Sequence, residues 1–209
     1  GQVTSAKIWK SDGAVAYHVQ GSIKDAALRY DHFILADGAA FFDIENGEAV
    51  ITEAAVKVNG QTFAGDVKVL FDVDDPILMG HVNLKDIKAE ELLPEVGIAG
   101  VVSGGVDISG TMGNPFVSGE AHEKDGQYEN LSVKEANVRF VYGEDRILIP
   151  YLKAQMAGGL LIGEGSYDMK SGAFEGEAAG EHIDLSSLPV GISASGIVSG
   201  SGKAKGTYK

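Results

Sequence analysis

In Val67-Lys68-Val69-Leu70-Phe71-Asp72-Val73 the three valines and Phe71 recur at every second position. That period puts one side-chain set on one face of a sheet; a helix would need apolar residues three and four apart. The same spacing returns in Val56-Lys57-Val58 and in Ala136, Val138, Phe140 and Tyr142, which alternate with Asn137, Arg139 and Val141. No long window has helical spacing. Lys88 to Leu93, before Pro94, is the one stretch read as helical, for a turn or two. Asp12-Gly13, Asp37-Gly38, Asn46-Gly47, Asn59-Gly60 and Asp125-Gly126 sit between apolar runs. Such dipeptides suit type I′ turns, whose two central residues both need positive φ, so several are expected to close hairpins.

An internal repeat organises the chain. Gly100-Val101-Val102-Ser103-Gly104 and Gly110-Thr111 return as Gly196-Ile197-Val198-Ser199-Gly200 and Gly206-Thr207, an offset of 96 residues. Upstream, His81-Val82-Asn83-Leu84 aligns with His182-Ile183-Asp184-Leu185 at an offset of 101, which makes the second copy about five residues shorter in its linking loop. Approximate units are 1–111 and 112–209. Thr111 leads into Met112-Gly113-Asn114-Pro115 and a fresh strand, whereas two residues follow Thr207. The second unit is therefore read as incomplete and the repeat is expected to continue in a longer protein, since a cut β array exposes an edge.

Composition narrows the class. With 44% hydrophobic and 22% charged residues, the chain of 209 is ordinary for a folded protein. Its 29 glycines are about twice the average share of roughly 7%, and with 5 prolines and no collagen period they mark strand ends, bulges and close backbone approaches. A net charge of −13 argues against nucleic acid and against a polybasic membrane anchor, and keeps a broad β surface soluble. Cysteine is absent, which removes disulfides and thiolate metal sites. No apolar run approaches the roughly 18 residues of a membrane-spanning helix, and no signal peptide opens the chain; any anchor of a parent protein is expected outside this stretch.

A search for chemistry returns structural readings. His18, His32, His81, His122 and His182 lack metal-helix spacing, and His81 and His182 read as strand-filling polar residues. Asp72, Asp74 and Asp75, and separately Asp43, Glu45, Asn46 and Gly47, lack the EF-hand spacing and read as polar turns. Gly158 to Gly165 reads as sheet glycines, because strand-like Ser166-Tyr167-Asp168 follows where a phosphate loop needs a helix. No serine sits in a G-x-S-x-G elbow. Carboxylate pairs of the glycosidase kind are spatial, and 30 acidic residues make coincidental pairs easy to find. The chain is read as non-enzymatic, with no catalytic residue, cofactor or metal.

The order of elements resembles a known family. Gly110-Thr111, Asn114-Pro115, Val117-Ser118-Gly119-Glu120, the turn at Gly126, Ala136-Asn137-Val138, Gly163-Glu164-Gly165, the HIDL segment and the closing Gly-Ile-Val-Ser-Gly are similar to the repeats of the TamB family. These are the inner-membrane subunits of translocation and assembly modules and belong with the AsmA-like bridge proteins of diderm bacteria. The resemblance covers essentially the whole chain, with a diverged first copy before Phe71, and its motifs are glycine-led and structural. It implies an elongated all-β repeat domain, its antiparallel or mixed sheet folded lengthwise into a trough (β-taco) with an apolar inner face. It further implies a periplasmic location, a parent chain anchored in the inner membrane, phospholipid acyl chains as cargo on the way to the outer membrane, and a TamA-like partner of the Omp85 family in outer-membrane protein assembly. The inward set is expected to include Val56, Val58, Val67, Val69, Phe71, Val138 and Phe140. Two alternatives stay open: a closed sandwich in which those residues form a core, with identical alternation, and a surface or secreted β-repeat adhesin or scaffold binding protein partners.

Overall fold

A computed structural model describes residues 1–11, 14–30, 33–92, 98–128, 131–188 and 195–207. Among them thirteen strands follow one another: β1 (Gln2–Ser11), β2 (Ala14–Tyr30), β3 (Phe33–Glu45), β4 (Glu48–Val58), β5 (Gln61–Leu70), β6 (Ile77–Lys88) and β7 (Ile98–Gly110). Then come β8 (Pro115–Tyr128), β9 (Leu131–Gly143), β10 (Arg146–Met156), β11 (Gly159–Asp168), β12 (Ala173–Asp184) and β13 (Ile197–Thr207). Their order in the sheet is their order in the chain. The sheet is an open meander with β1 and β13 at its edges, and the pairings on either side of β7's immediate neighbours are antiparallel throughout. The helical stretch read near Lys88 is one turn, α1 (Ala89–Leu92); Leu93 and Pro94 lie outside the described residues. The chain divides into two compact units, Gly1–Lys85 with Gly105–Phe116, and Asp86–Gly104 with Val117–Lys209.

Hairpin chemistry was half legible. Asn46-Gly47 and Asn59-Gly60 adopt positive φ at both residues and close β3–β4 and β4–β5. Asp37-Gly38 and Asp125-Gly126 correct the expectation: they lie inside β3 and β8, and Asp12-Gly13 lies outside the described residues. Only Asp37 and Asp125 of those two pairs are left-handed, because a bulge or kink needs one positive φ where a type I′ turn needs two. Glu144-Asp145 and Ala157-Gly158 also make tight turns with two positive φ values. The register slips at left-handed Asp25, Asp37, Glu53 and His182. An extra residue at such a point bends and twists the strand.

The bulges also realign the repeat. The backbone N–H of Asp86 donates to Ser103 Oγ, and that of His182 to Ser199 Oγ, each at 3.0 Å. Both residues are left-handed, and the following Ile87 and Ile183 are among the few buried side chains. His182 thus corresponds to Asp86 at the same 96-residue offset as the glycines, and the match to His81 is overturned. The physical reason is that a bulge frees one ladder N–H, so a serine on the neighbouring strand is fixed relative to it.

Little of this structure is interior. Among the described residues the buried apolar side chains are Ile87, Ala89, Ala154, Ala157 and Ile183, and no large side chain is fully buried. The accessible surface is 13663 Å², against about 9,300 Å² expected for a compact monomer of this mass. Among the described residues the strands form one sheet, and Val56, Val58, Val67, Val69, Val138 and Phe140, which a closed sandwich would bury as its core, are only partly buried.

Glycine keeps neighbouring backbones close at defined points. A Cβ on Gly65 would stand 2.0 Å from the carbonyl oxygen of His81 on β6, while a Cβ on Gly202 of β13 would meet no described residue within 4 Å. Gly65→Ala is expected to lower stability by about 1–3 kcal/mol through forced strand displacement. Gly202→Ala should be neutral or stabilising by about 0.5 kcal/mol, since glycine weakens a strand interior. Urea unfolding of the two variants checks the contrast.

Candidate functional site

Each unit carries an apolar face assembled by cross-strand register. In the first unit Gly21, Phe42, Ile51, Val67 and Gly80 are successive partners from β2 to β6, and Val19, Ile44, Ala49, Val69 and Leu78 form the adjoining row. Val56 pairs with Phe63 on the same face, and Val58, two residues on, stands opposite Gln61. In the second unit Val117, Tyr142, Ile147, Tyr167, Phe174 and Gly206 align from β8 to β13. A further row on the same face runs Ala121, Val138, Leu152, Gly163, Ala178 and Gly202. Phe140, opposite Gly119, belongs to this face. Partners in register point to the same side of a sheet, so these rows are contiguous apolar strips.

Six of the seven residues expected to face inward therefore lie on these faces: Val56, Val58, Val67 and Val69 in the first unit, Val138 and Phe140 in the second. All six are partly exposed. Phe71 lies past the end of β5, 40% exposed, its N–H donating to the Gly47 carbonyl at 2.8 Å. Sequence reading missed Ile149, Leu152 and Leu161 and the floor beside them. Gly163, Gly165, Gly176, Ala178, Gly202 and Ala204 leave a cleft of about 490 Å³ bordered by Ile149 and Leu152. The signal was present in Leu161-Ile162-Gly163-Glu164-Gly165, where every second residue is leucine or glycine. Elsewhere aromatic rings cover glycine: a Cβ on Gly21 would collide with the Phe42 ring, and one on Gly206 with the Phe174 ring.

The opposite face is a lattice of charge pairs. Lys68 meets Glu48, and Lys57 meets Asp37, each at 2.7 Å. Arg139 lies near Glu120 and 5.6 Å from the centre of the Tyr151 ring. Three histidines take acceptors on adjacent strands. His18 Nε2 lies 2.7 Å from Asp43 Oδ1, His81 Nδ1 lies 2.7 Å from Asp107 Oδ1, and His122 Nδ1 lies 2.9 Å from Asn137 Oδ1. Asp43 also accepts from Gln20, which is the main cause of its lowered pKa, with His18 adding to it. His32 lies outside the described residues. The face is not purely polar, for Phe41, Leu148 and Ile162 stand on it, exposed.

The polar-turn reading describes Asp72, Asp74, Asp75, Asn46 and Gly47, which lie between strands, and is corrected for Asp43 and Glu45, which lie within β3 and pair across the ladder. Asp75 accepts from the Gly113 N–H at 3.2 Å, and Asn46 Oδ1 accepts from the Tyr17 N–H at 3.0 Å. Among the described residues no three His, Asp or Glu side chains converge as a metal site requires. Gly158 closes the β10–β11 hairpin and Gly159 begins a strand, so this segment presents no helix N-terminus.

One carboxylate interrupts the apolar rows. Glu123 is the register partner of Ala136, which continues through Ala154, Leu161 and Gly180. Its carboxyl group lies over Gly126, and partial burial raises its pKa. Compared with protein-family models, curated proteins and solved structures, the chain matches none of them.

Two titrations follow from these groups. A carboxyl whose folded pKa is raised opposes folding once pH exceeds its unfolded value and has no such effect below it. Glu123→Gln should thus raise Tm at pH 7, with the gain vanishing towards pH 3.5. For His81 the hydrogen bond to Asp107, then that to Asn83, raises the pKa. Its stabilising contribution is full below the unfolded value and is lost as pH rises through the folded one. NMR titration should place His81 above an ordinary imidazole, and Asp107→Asn should bring it down.

Proposed function

We propose that this chain is a periplasmic segment of an envelope-spanning bridge protein whose uncovered apolar face takes phospholipid acyl chains on their way to the outer membrane. The observation that carries the reading is the combination of contiguous apolar rows with the absence, among the described residues, of any fully buried large side chain. Contiguous apolar rows that stay partly exposed are the kind of surface that takes a ligand or partner. The glycine and alanine floor beside Ile149 and Leu152 gives the second unit room for a chain of methylenes. Each buried CH₂ contributes roughly 0.8 kcal/mol without directional demands, so a tail is held while free to slide between equivalent rows. The charge-paired opposite face keeps such a sheet in water. The resemblance to TamB-family repeats supports the location, the inner-membrane anchor of the parent chain and a TamA-like partner in outer-membrane protein assembly.

A second reading, a β-repeat scaffold or adhesin that binds proteins, draws on Phe41, Leu148 and Ile162, exposed on the opposite face. Mass spectrometry of an organic extract separates the two. Chain exported to a bacterial periplasm and purified without detergent should carry near-stoichiometric phospholipid. Val138→Asp or Leu152→Asp should abolish it with the strand content unchanged, whereas Lys153→Asp on the opposite face should not. A folded, lipid-free chain, or equal loss from both faces, moves the scaffold reading ahead.

A further inference from the structure

Glu123 is the one charge in the apolar rows of the second unit. The rows that begin at Val117, Ala121 and Glu123 of β8 hold no other charged residue through β13. Nor do Gly119, Phe140, Ile149, Gly165, Gly176 and Ala204 between the first two rows. The Glu123 carboxyl group is half-buried, and two glycines from different strands make room for it. A Cβ on Gly126 of β8 would stand 2.5 Å from its Cδ, and one on Gly100 of β7 would stand 2.7 Å from its Oε1. Small residues continue beside it along the row, at Ala136 and Ala154. Among the described residues it has neither a hydrogen bond nor an ion pair, and the nearby Gly100 N–H donates to Glu90 instead, at 3.1 Å. A carboxylate drawn partly out of water with no counter-charge is costly until a cation reaches it.

We propose that Glu123 reads the lipid headgroup: it receives the primary ammonium of an ethanolamine phospholipid and turns away headgroups of net negative charge. This inference rests on the acyl-chain reading above and names the class of lipid. An ammonium donates charge-assisted hydrogen bonds to a carboxylate, whereas an anionic phosphoglycerol headgroup meets a like charge. The net charge of −13 acts in the same direction over the whole surface. Leu152 lies one row and two strands from Glu123, about 12 Å by sheet spacings. A phospholipid tail fills about 15 Å, half of a bilayer's hydrocarbon core. One molecule therefore spans the carboxylate and the glycine-floored cleft beside Leu152.

The test incubates the whole chain, freed of lipid, with equimolar dioctanoyl phosphatidylethanolamine and dioctanoyl phosphatidylglycerol below micellar concentration. Native mass spectrometry counts the bound lipids. The ethanolamine lipid should outnumber the glycerol lipid at least fivefold. Glu123→Gln should bring the ratio within twofold of unity without lowering total uptake. Glu175→Gln, which removes the same charge from an exposed position on the opposite face, should keep the preference. In an NMR titration the ethanolamine lipid should lower the Glu123 pKa, because a neighbouring cation favours the charged form, and the glycerol lipid should not. No preference in the unaltered chain, a preference that survives Glu123→Gln, or equal loss in Glu175→Gln overturns this inference and leaves the acyl-chain reading standing. An equal fall in pKa with phosphoethanolamine, which has no tails, would assign a site for free amines and overturn it as well. Uptake of neither lipid removes the acyl-chain reading, and this inference with it.

Discussion

A β-sheet one layer thick satisfies its backbone from within, but it has nothing of its own to cover its side chains. Every inner strand of this chain finds both neighbours by following the sequence, so ladder hydrogen bonds are met locally and no long crossover is needed. The cost appears on the faces. Valine, leucine and phenylalanine at alternate positions gather into rows, and the rows stay partly wet. Buried anchors are confined to a few points, notably Ile87 and Ile183, each next to a left-handed bulge residue whose N–H is held by a serine. These points pin the register where the apolar rows, lacking a second layer, cannot.

Curvature is where glycine and aspartate divide the work. Aspartate tolerates the left-handed backbone of a bulge, and Asp25 and Asp37 occupy such positions inside long strands. Glycine serves where two backbones approach, as Gly65 does beneath the His81 carbonyl. The sequence rule that reads Asp-Gly as a hairpin confuses these uses, because the dipeptide reports positive φ and not chain reversal. Asn46-Gly47 and Asn59-Gly60 met the rule, while Glu144-Asp145 and Ala157-Gly158 made the same turn with less recognisable pairs.

The strand character was legible in period-two spacing, as was the shared face of Val56 with Val58, of Val67 with Val69 and of Val138 with Phe140. The antiparallel meander was not, since alternation is the same in antiparallel and mixed sheets. What could not be read was whether anything covers them, since alternation is the same under a second sheet and under solvent. The glycine floor around Gly163 and Gly176 escaped notice for a related reason: an apolar face made of missing side chains leaves no hydrophobic signal. Residues opposite each other on adjacent strands became visible only through register, which is also why the charge pairs His81–Asp107 and Lys68–Glu48 had no signature in sequence.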